Sequence, residues 1–171
     1  MLDSFWQRLD HSLRTALPFV TALVCVLLGV VSWPLPYLGA VAPPLALMAL
    51  YYWTIHRPDL FRPGMAFVIG LMNDLVQGLP PGLSALLFVG LHQLLLHQRR
   101  FFAGHAFFMM WSGFVLTALA GKCIEWVLIC LWNWQMVPIL PVAMQTLLAI
   151  AFFPIPCWLF IHMQKSALTN G

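Results

Sequence analysis

Seven of the eight basic residues of this 171-residue chain fall in four places, and those places are every second gap between its apolar runs. Arg8 and Arg14 precede the first run, Arg57 and Arg62 follow the second, Arg99 and Arg100 follow the fourth, and Lys165 follows the last. The intervening gaps at 34–36, 77–82 and 133–135 carry no charge. Lys and Arg are retained on the cytoplasmic side during membrane insertion. The alternation therefore predicts an all-α inner-membrane protein with six transmembrane helices and both termini in the cytoplasm. The eighth cation, Lys122, lies inside an apolar run, and function is to be sought around it.

Composition agrees with that frame. Hydrophobic residues make up 62% of the chain and charged residues 8%, against roughly 45–50% and 25% in soluble proteins. At about 20 apolar residues per spanning helix, six spans leave no room for a soluble catalytic domain. No basic run exceeds Arg99-Arg100, so the net charge of +3 is a topology signal and gives no support to nucleic-acid binding. The polar lead of Asp3, Arg8, Asp10, His11 and Arg14 is followed by no small-residue cleavage site, so the N-terminus does not read as a secretory signal. Cys25, Cys123, Cys130 and Cys157 all sit in apolar stretches without ligand spacing. They read as reduced packing residues.

The spans expected are 16–33, 38–55, 63–77, 83–96, 104–131 and 137–162, all within one integral membrane domain over 1–171. Tyr51, Tyr52 and Trp53 suit the headgroup interface just before Arg57. Pro63 stands where a missing N–H costs little, and Gly78, Pro80, Pro81 and Gly82 make a tight turn into the fourth span. Pro154 and Pro156 should kink the sixth. The eight tryptophans and thirteen phenylalanines read as lipid-facing or interfacial bulk.

Three ionisable side chains lie inside the spans: Asp74, Lys122 and Glu125. Each costs several kcal/mol if it faces lipid unpaired, roughly 2.5–3.5 on insertion scales. All three fall in the outer half of the membrane, and Lys122 and Glu125 are an i, i+3 pair on one face. Gly70, Asp74 and Gly78 share a stripe at i, i+4, i+8, as do Thr117, Gly121 and Glu125. Small residues at that spacing let backbones approach closely. The expectation is a glycine-lined contact between the third and fifth helices, with Lys122 neutralised by Asp74 and Glu125. Such a cluster serves helix cohesion, a substrate or proton pathway, or docking of another membrane protein, and the residues alone leave these open.

Other chemistry finds less support. His92, His97 and His105 gather near the cytoplasmic ends of the fourth and fifth helices and read as interfacial rather than as metal ligands. Ser84, Ser112 and Thr117 have no His or Asp companion at catalytic spacing. No cofactor box is present.

The stretch Asn73, Asp74, Leu75, Val76, Gln77, Gly78, Leu79, Pro80, Pro81 and Gly82 resembles the signature of the rod shape-determining protein MreD family. Asp74, Leu75, Gly78, Pro80 and Gly82 match it position by position, and Pro81 stands where the family carries an aliphatic residue. Pro43-Pro44 opening the second span and Tyr52-Trp53 near its close are also similar to the family, as are the length and the six spans. The match covers 43–100; the first and last spans agree in hydropathy only. Lys122 and Glu125 belong to no motif of the family.

The resemblance implies a non-enzymatic inner-membrane subunit of the cell-elongation complex that supports lateral peptidoglycan synthesis. It implies as partners a bitopic MreC-like scaffold, an elongation glycosyltransferase, a class B penicillin-binding transpeptidase, membrane lipid and the actin-like MreB filament, with no cofactor. It also implies a fold similar to the substrate-binding components of energy-coupling-factor transporters. That fold analogy raises a rival, a small-solute transport component with an outward-opening pocket between helices. A third reading, an intramembrane enzyme acting on lipid, would want paired carboxylates with a metal or a His base. Here the acids accompany a lysine, and the histidines lie at the opposite face.

Overall fold

The computed structural model describes residues 16–29, 33–35, 39–41, 43–102 and 107–168, with the backbone alone at 33–35, 39–41, 99–102, 107 and 163–168. Arg8, Arg14 and His105 lie outside the described residues, as do the side chains of Arg99, Arg100 and Lys165. Among the described residues, seven helices and one short hairpin follow along the chain. Helix α1 is Ala16–Leu28. Strands β1 Trp33–Leu35 and β2 Gly39–Val41 pair antiparallel, Pro34 facing Ala40. Then come α2 Leu45–His56, α3 Pro63–Gln77, α4 Leu83–Phe102, α5 Phe107–Asn133, α6 Ile139–Phe152 and α7 Pro154–Leu168.

The hairpin corrects the expected ends of the first two spans, which ran to 33 and began at 38. Gly29 closes α1, its N–H bonding the Cys25 carbonyl at 3.0 Å. Pro34 and Pro36 then lack the N–H that a helix would need. Residues 33–35 and 39–41 pair as extended strands, and Pro44 lies at the start of α2. Helix α5 is long and apolar enough over Phe108–Asn133 to cross a bilayer, and α6 and α7 pass the same test jointly up to His162.

Helix α2 is the hub of the bundle, in contact with α3, α4, α5 and α7. Every residue from Ala46 to Ile55 is buried. Tyr51, Tyr52 and Trp53 are therefore core residues, which corrects their expected place at the headgroup interface. Tyr51 Oη donates to the Met110 carbonyl of α5 at 2.8 Å, and Trp53 Nε1 donates to Thr21 Oγ1 of α1 at 3.0 Å. The Tyr51 ring meets Phe114 and Phe153 edge-on, while those two stack at 4.0 Å. Much of the aromatic bulk is thus internal. Tyr51 and Trp53 carry polar tips that find their acceptors only on neighbouring helices, which suits them to the interior.

The chain bends by 43° between α6 and α7, at Phe153–Pro154. Pro154 has no N–H to return to the Ile150 carbonyl four residues earlier. Trp111 of α5 supplies the missing donor, its Nε1 reaching that carbonyl at 3.2 Å. A second indole bond from α5 lies at the start of α6. The Val137 carbonyl, just before the Pro138 N-cap, lies outside the helical ladder, and Trp126 Nε1 bonds it at 3.1 Å. Two indoles on α5 thus hold the chain at both ends of α6, at the Val137 carbonyl before it and the Ile150 carbonyl near its close. Proline in an apolar medium is tolerated where neighbours re-satisfy the backbone in this way.

Candidate functional site

Helices α3 and α4 form an antiparallel hairpin across the turn 78–82, and its geometry explains the motif residues one by one. Gly70 lies against α4 so closely that a Cβ there would come within 2.5 Å of Ala85 Cα and 2.7 Å of the Ser84 carbonyl oxygen. Only a glycine lets the two backbones meet at that distance. One turn on, Asp74 is fully buried. Its Oδ2 accepts the Gly82 N–H at 2.9 Å and its Oδ1 accepts the Ser84 N–H at 2.8 Å. The first N–H groups of a helix have no partner within it and carry the positive end of its dipole. Asp74 therefore caps α4 from the neighbouring helix, with charge-assisted bonds worth about 1.5–3 kcal/mol each.

The turn itself is built to deliver those donors. Gly78 ends α3 in the left-handed region at φ 67°, and the N–H groups of Gly78 and Leu79 both return to the Asp74 carbonyl. Gly82 has φ 101°, a region closed to residues with a Cβ, and Pro80 accepts the Leu83 N–H at 3.2 Å. Asn73 Nδ2 donates to Ser84 Oγ at 3.1 Å and receives Gln77 Nε2 on its Oδ1 at 2.7 Å, adding a polar clasp beside the cap. Leu75 is different: it is 62% exposed on the outer face of the hairpin.

Lys122 pairs with Glu125 at 2.8 Å on α5, both side chains largely buried. Asp74 forms no ion pair among the described residues, which corrects the expected three-charge cluster. The glycine-lined part of the expected contact between the third helix and the fifth is corrected with it. Gly70 packs on Ala85 of α4, and Gly121 faces Leu91 and Leu87 of the same helix. With α4 between the two glycine stripes, the nearest positive charge for Asp74 is the α4 N-terminus. A cleft of about 10 Å³, lined by Asn73, Gln77, Gly121, Lys122 and Glu125 among others, has room for roughly one water.

The remaining candidates disperse. His92 is buried, not interfacial, and its Nδ1 lies 2.9 Å from Thr54 Oγ1. Thr54 spends its proton on the Leu50 carbonyl at 2.7 Å, so Nδ1 carries the hydrogen and Nε2 is left as a bare acceptor. His97 is exposed. No three His, Cys, Asp or Glu side chains converge on a common point among the described residues. Ser112 and Thr117 donate to the Met109 and Gly113 carbonyls of their own helix. The four cysteines are free thiols; Cys25 and Cys157 are buried and Cys123 is exposed.

The family model of the rod shape-determining protein MreD matches residues 10–166. The chain belongs to the MreD family. No curated protein and no solved structure matches it. MreD proteins are membrane proteins that determine rod shape and are associated with the MreBCD shape complex. In this MreD chain the signature Asp, Gly, Pro and Gly residues are absorbed into one structural device, the cross-helix cap of α4. Sequence reasoning located that motif but assigned its acid to a lysine. The donors missed were backbone N–H groups, for which the glycine at Gly82 and its proline neighbours were the available signal.

Proposed function

We propose that the chain is a non-enzymatic, six-span inner-membrane subunit of the cell-elongation complex, with both termini cytoplasmic and a single membrane domain. It supports cell shape and lateral peptidoglycan synthesis by joining a bitopic MreC-like scaffold to an elongation glycosyltransferase and a class B penicillin-binding transpeptidase. Contact with the MreB filament runs through the scaffold. The fold of energy-coupling-factor substrate-binding components is part of the same reading. The observation that carries it is the family match over nearly the whole chain. The site geometry supports it further: Asp74 is engaged by the cap of the neighbouring helix and Lys122 by Glu125 within α5, so each buried charge has a partner inside the chain.

The solute-transport reading can lean on the cleft beside Lys122, with room for roughly one water, and on a groove of about 330 Å³ between α5 and α6, at the low end of the 300–1,000 Å³ of ligand pockets and lined almost wholly by apolar side chains. Depletion decides between them. Rounded or widened cells with mislocalised elongation proteins are expected. Normal rods combined with a nutrient-uptake defect would replace the scaffold with the transporter.

A further inference from the structure

We propose that the outer ends of α2, α3 and α4 sit in a recess of the outer leaflet, about 12 Å inward of its headgroup level, filled by phospholipid headgroups and their water. Beside the recess, the tip of the α5–α6 hairpin reaches the full height of the leaflet. This rests on the reading of the chain as a six-span membrane protein and adds to it the shape of the bilayer around the bundle. Helix α2 has 12 residues and α3 has 15, and the apolar part of α4 is Leu83–Gln98. At about 1.5 Å per residue these cover roughly 18–24 Å, against a hydrocarbon core of about 30 Å. Helix α5 is apolar over 26 residues, roughly 39 Å.

Two contacts put the shortfall on the outer side. The cleft beside Lys122 brings Pro44 and Ala46 at the head of α2, and Gln77 in the last turn of α3, against Lys122 and Glu125. A Cβ on Gly121 would meet Leu91 Cδ1 at 3.1 Å and Leu87 Cδ2 at 3.9 Å, so α4 begins about one turn beyond Gly121. Residues 126–133 of α5, roughly 12 Å of helix, therefore continue outward past the ends of α2, α3 and α4. At the inner ends, Arg57, Arg62, Arg99 and Arg100 hold the short helices at the cytoplasmic headgroups.

What surrounds the projecting tip follows from its composition. No Asp, Glu, Lys or Arg occurs between Glu125 and Lys165. Val127, Leu131, Met136 and Ile139 are exposed on it, and Trp132 and Trp134 are 67% and 92% exposed at its end. Standing in water, the tip would carry an apolar patch of the kind that water-facing surfaces avoid. Apolar side chains exposed on both helices, with indoles at the end, suit a segment immersed in lipid up to its headgroups. With the tip at that level, the turn 78–82, the exposed Gln77 and the edge of Glu125 lie below it. Headgroups and water match these polar groups and acyl chains do not. A bilayer thins around a short apolar length at modest cost.

The test reconstitutes the full chain in phosphatidylcholine vesicles with one fluorescent amino acid, at Gln77, Leu131, Trp134 or Pro58. Pro81 replaces Gln77 where that variant does not accumulate. Iodide in the water should quench Gln77 severalfold more than Leu131, although Leu131 lies farther out along the bundle. Lipid with a nitroxide on its headgroup should quench Gln77 and Trp134, and lipid with a nitroxide on its chain should quench Leu131. In short-chain lipid the leaflet has no need to thin, so Leu131 should open to iodide while Gln77 keeps its value. Iodide quenching at Leu131 equal to or above that at Gln77 in long-chain lipid would place the tip in water and overturn the recess. A Gln77 probe closed to both iodide and the headgroup nitroxide would overturn it too. So would protection of Leu131 that rises with the protein-to-lipid ratio and ignores chain length, because a second copy would then cover the tip. The Pro58 probe keeps topology separate, since in the six-span reading it meets iodide from the side opposite to Gln77. Trp134 responding from the Pro58 side removes that reading as well. Trp134 responding with Gln77 while Leu131 is open removes the recess alone.

Discussion

The indole N–H of Trp111 donates to the carbonyl of Ile150 at 3.2 Å, the same carbonyl that Pro154 leaves without its helical donor. A proline on one helix and a tryptophan on another thus form one unit, the first creating an orphan acceptor and the second filling it. Trp111→Phe keeps the bulk and removes the donor. It should cost about 1–3 kcal/mol, the price of an unsatisfied buried carbonyl. Pro154→Ala in that background returns an N–H to α7 and should recover part of the loss while reducing the 43° bend. Thermal unfolding of the four proteins in detergent measures this. A second substitution that adds its full independent cost would show that the two residues are not coupled.

Asp74 caps α4 through two backbone donors, so its substitutions should grade with acceptor strength. Asp74→Asn keeps one oxygen and should cost about 1.5–3 kcal/mol, and Asp74→Leu more. Protein level in the membrane and unfolding in detergent are the readouts. Equal tolerance of both would remove the cap from the account of the signature.

Two glycines of the hairpin helices should behave oppositely. Gly70→Ala drives a methyl into the Ala85 backbone and should destabilise by about 1–3 kcal/mol. Gly90, with nothing within 4 Å of a built Cβ, should accept Ala and gain up to about 1 kcal/mol of helix propensity. A neutral Gly70→Ala would mean that α3 and α4 lie farther apart than described.

Lys122 and Glu125 form a buried pair, so breaking it from one side should hurt more than removing it. Lys122→Met alone should cost about 3–5 kcal/mol, and adding Glu125→Gln should restore much of it. Asp74→Asn should restore nothing, because Asp74 answers to α4. Rescue by Asp74→Asn and not by Glu125→Gln would reverse the assignment of partners.

Topology rests on the basic residues. Periplasm-active reporters should work when fused at Pro36, Pro80 or Trp134 and be silent at Pro58, Arg100 and Gly171. Activity at Arg100 would put the strongest positive loop outside and end the six-span arrangement.

What was legible in the sequence is what acts within a few residues. Pro63 opens α3, Gly78 closes it in the left-handed region, and Pro154 bends the last span, because each changes a dihedral or deletes a donor on the spot. The signature 73–82 was readable for the same reason. Tertiary structure alone decided which helix each of these residues serves. Apolar faces are interchangeable to lipid, so hydropathy does not say that α2 is central or that α4 separates the two glycine stripes. Asp74 showed in the sequence as a buried acid in need of a positive partner. That its partner is the N-terminus of the next helix followed only from the close approach that Gly70 permits, because the backbone N–H groups that neutralise it leave no trace in side-chain composition.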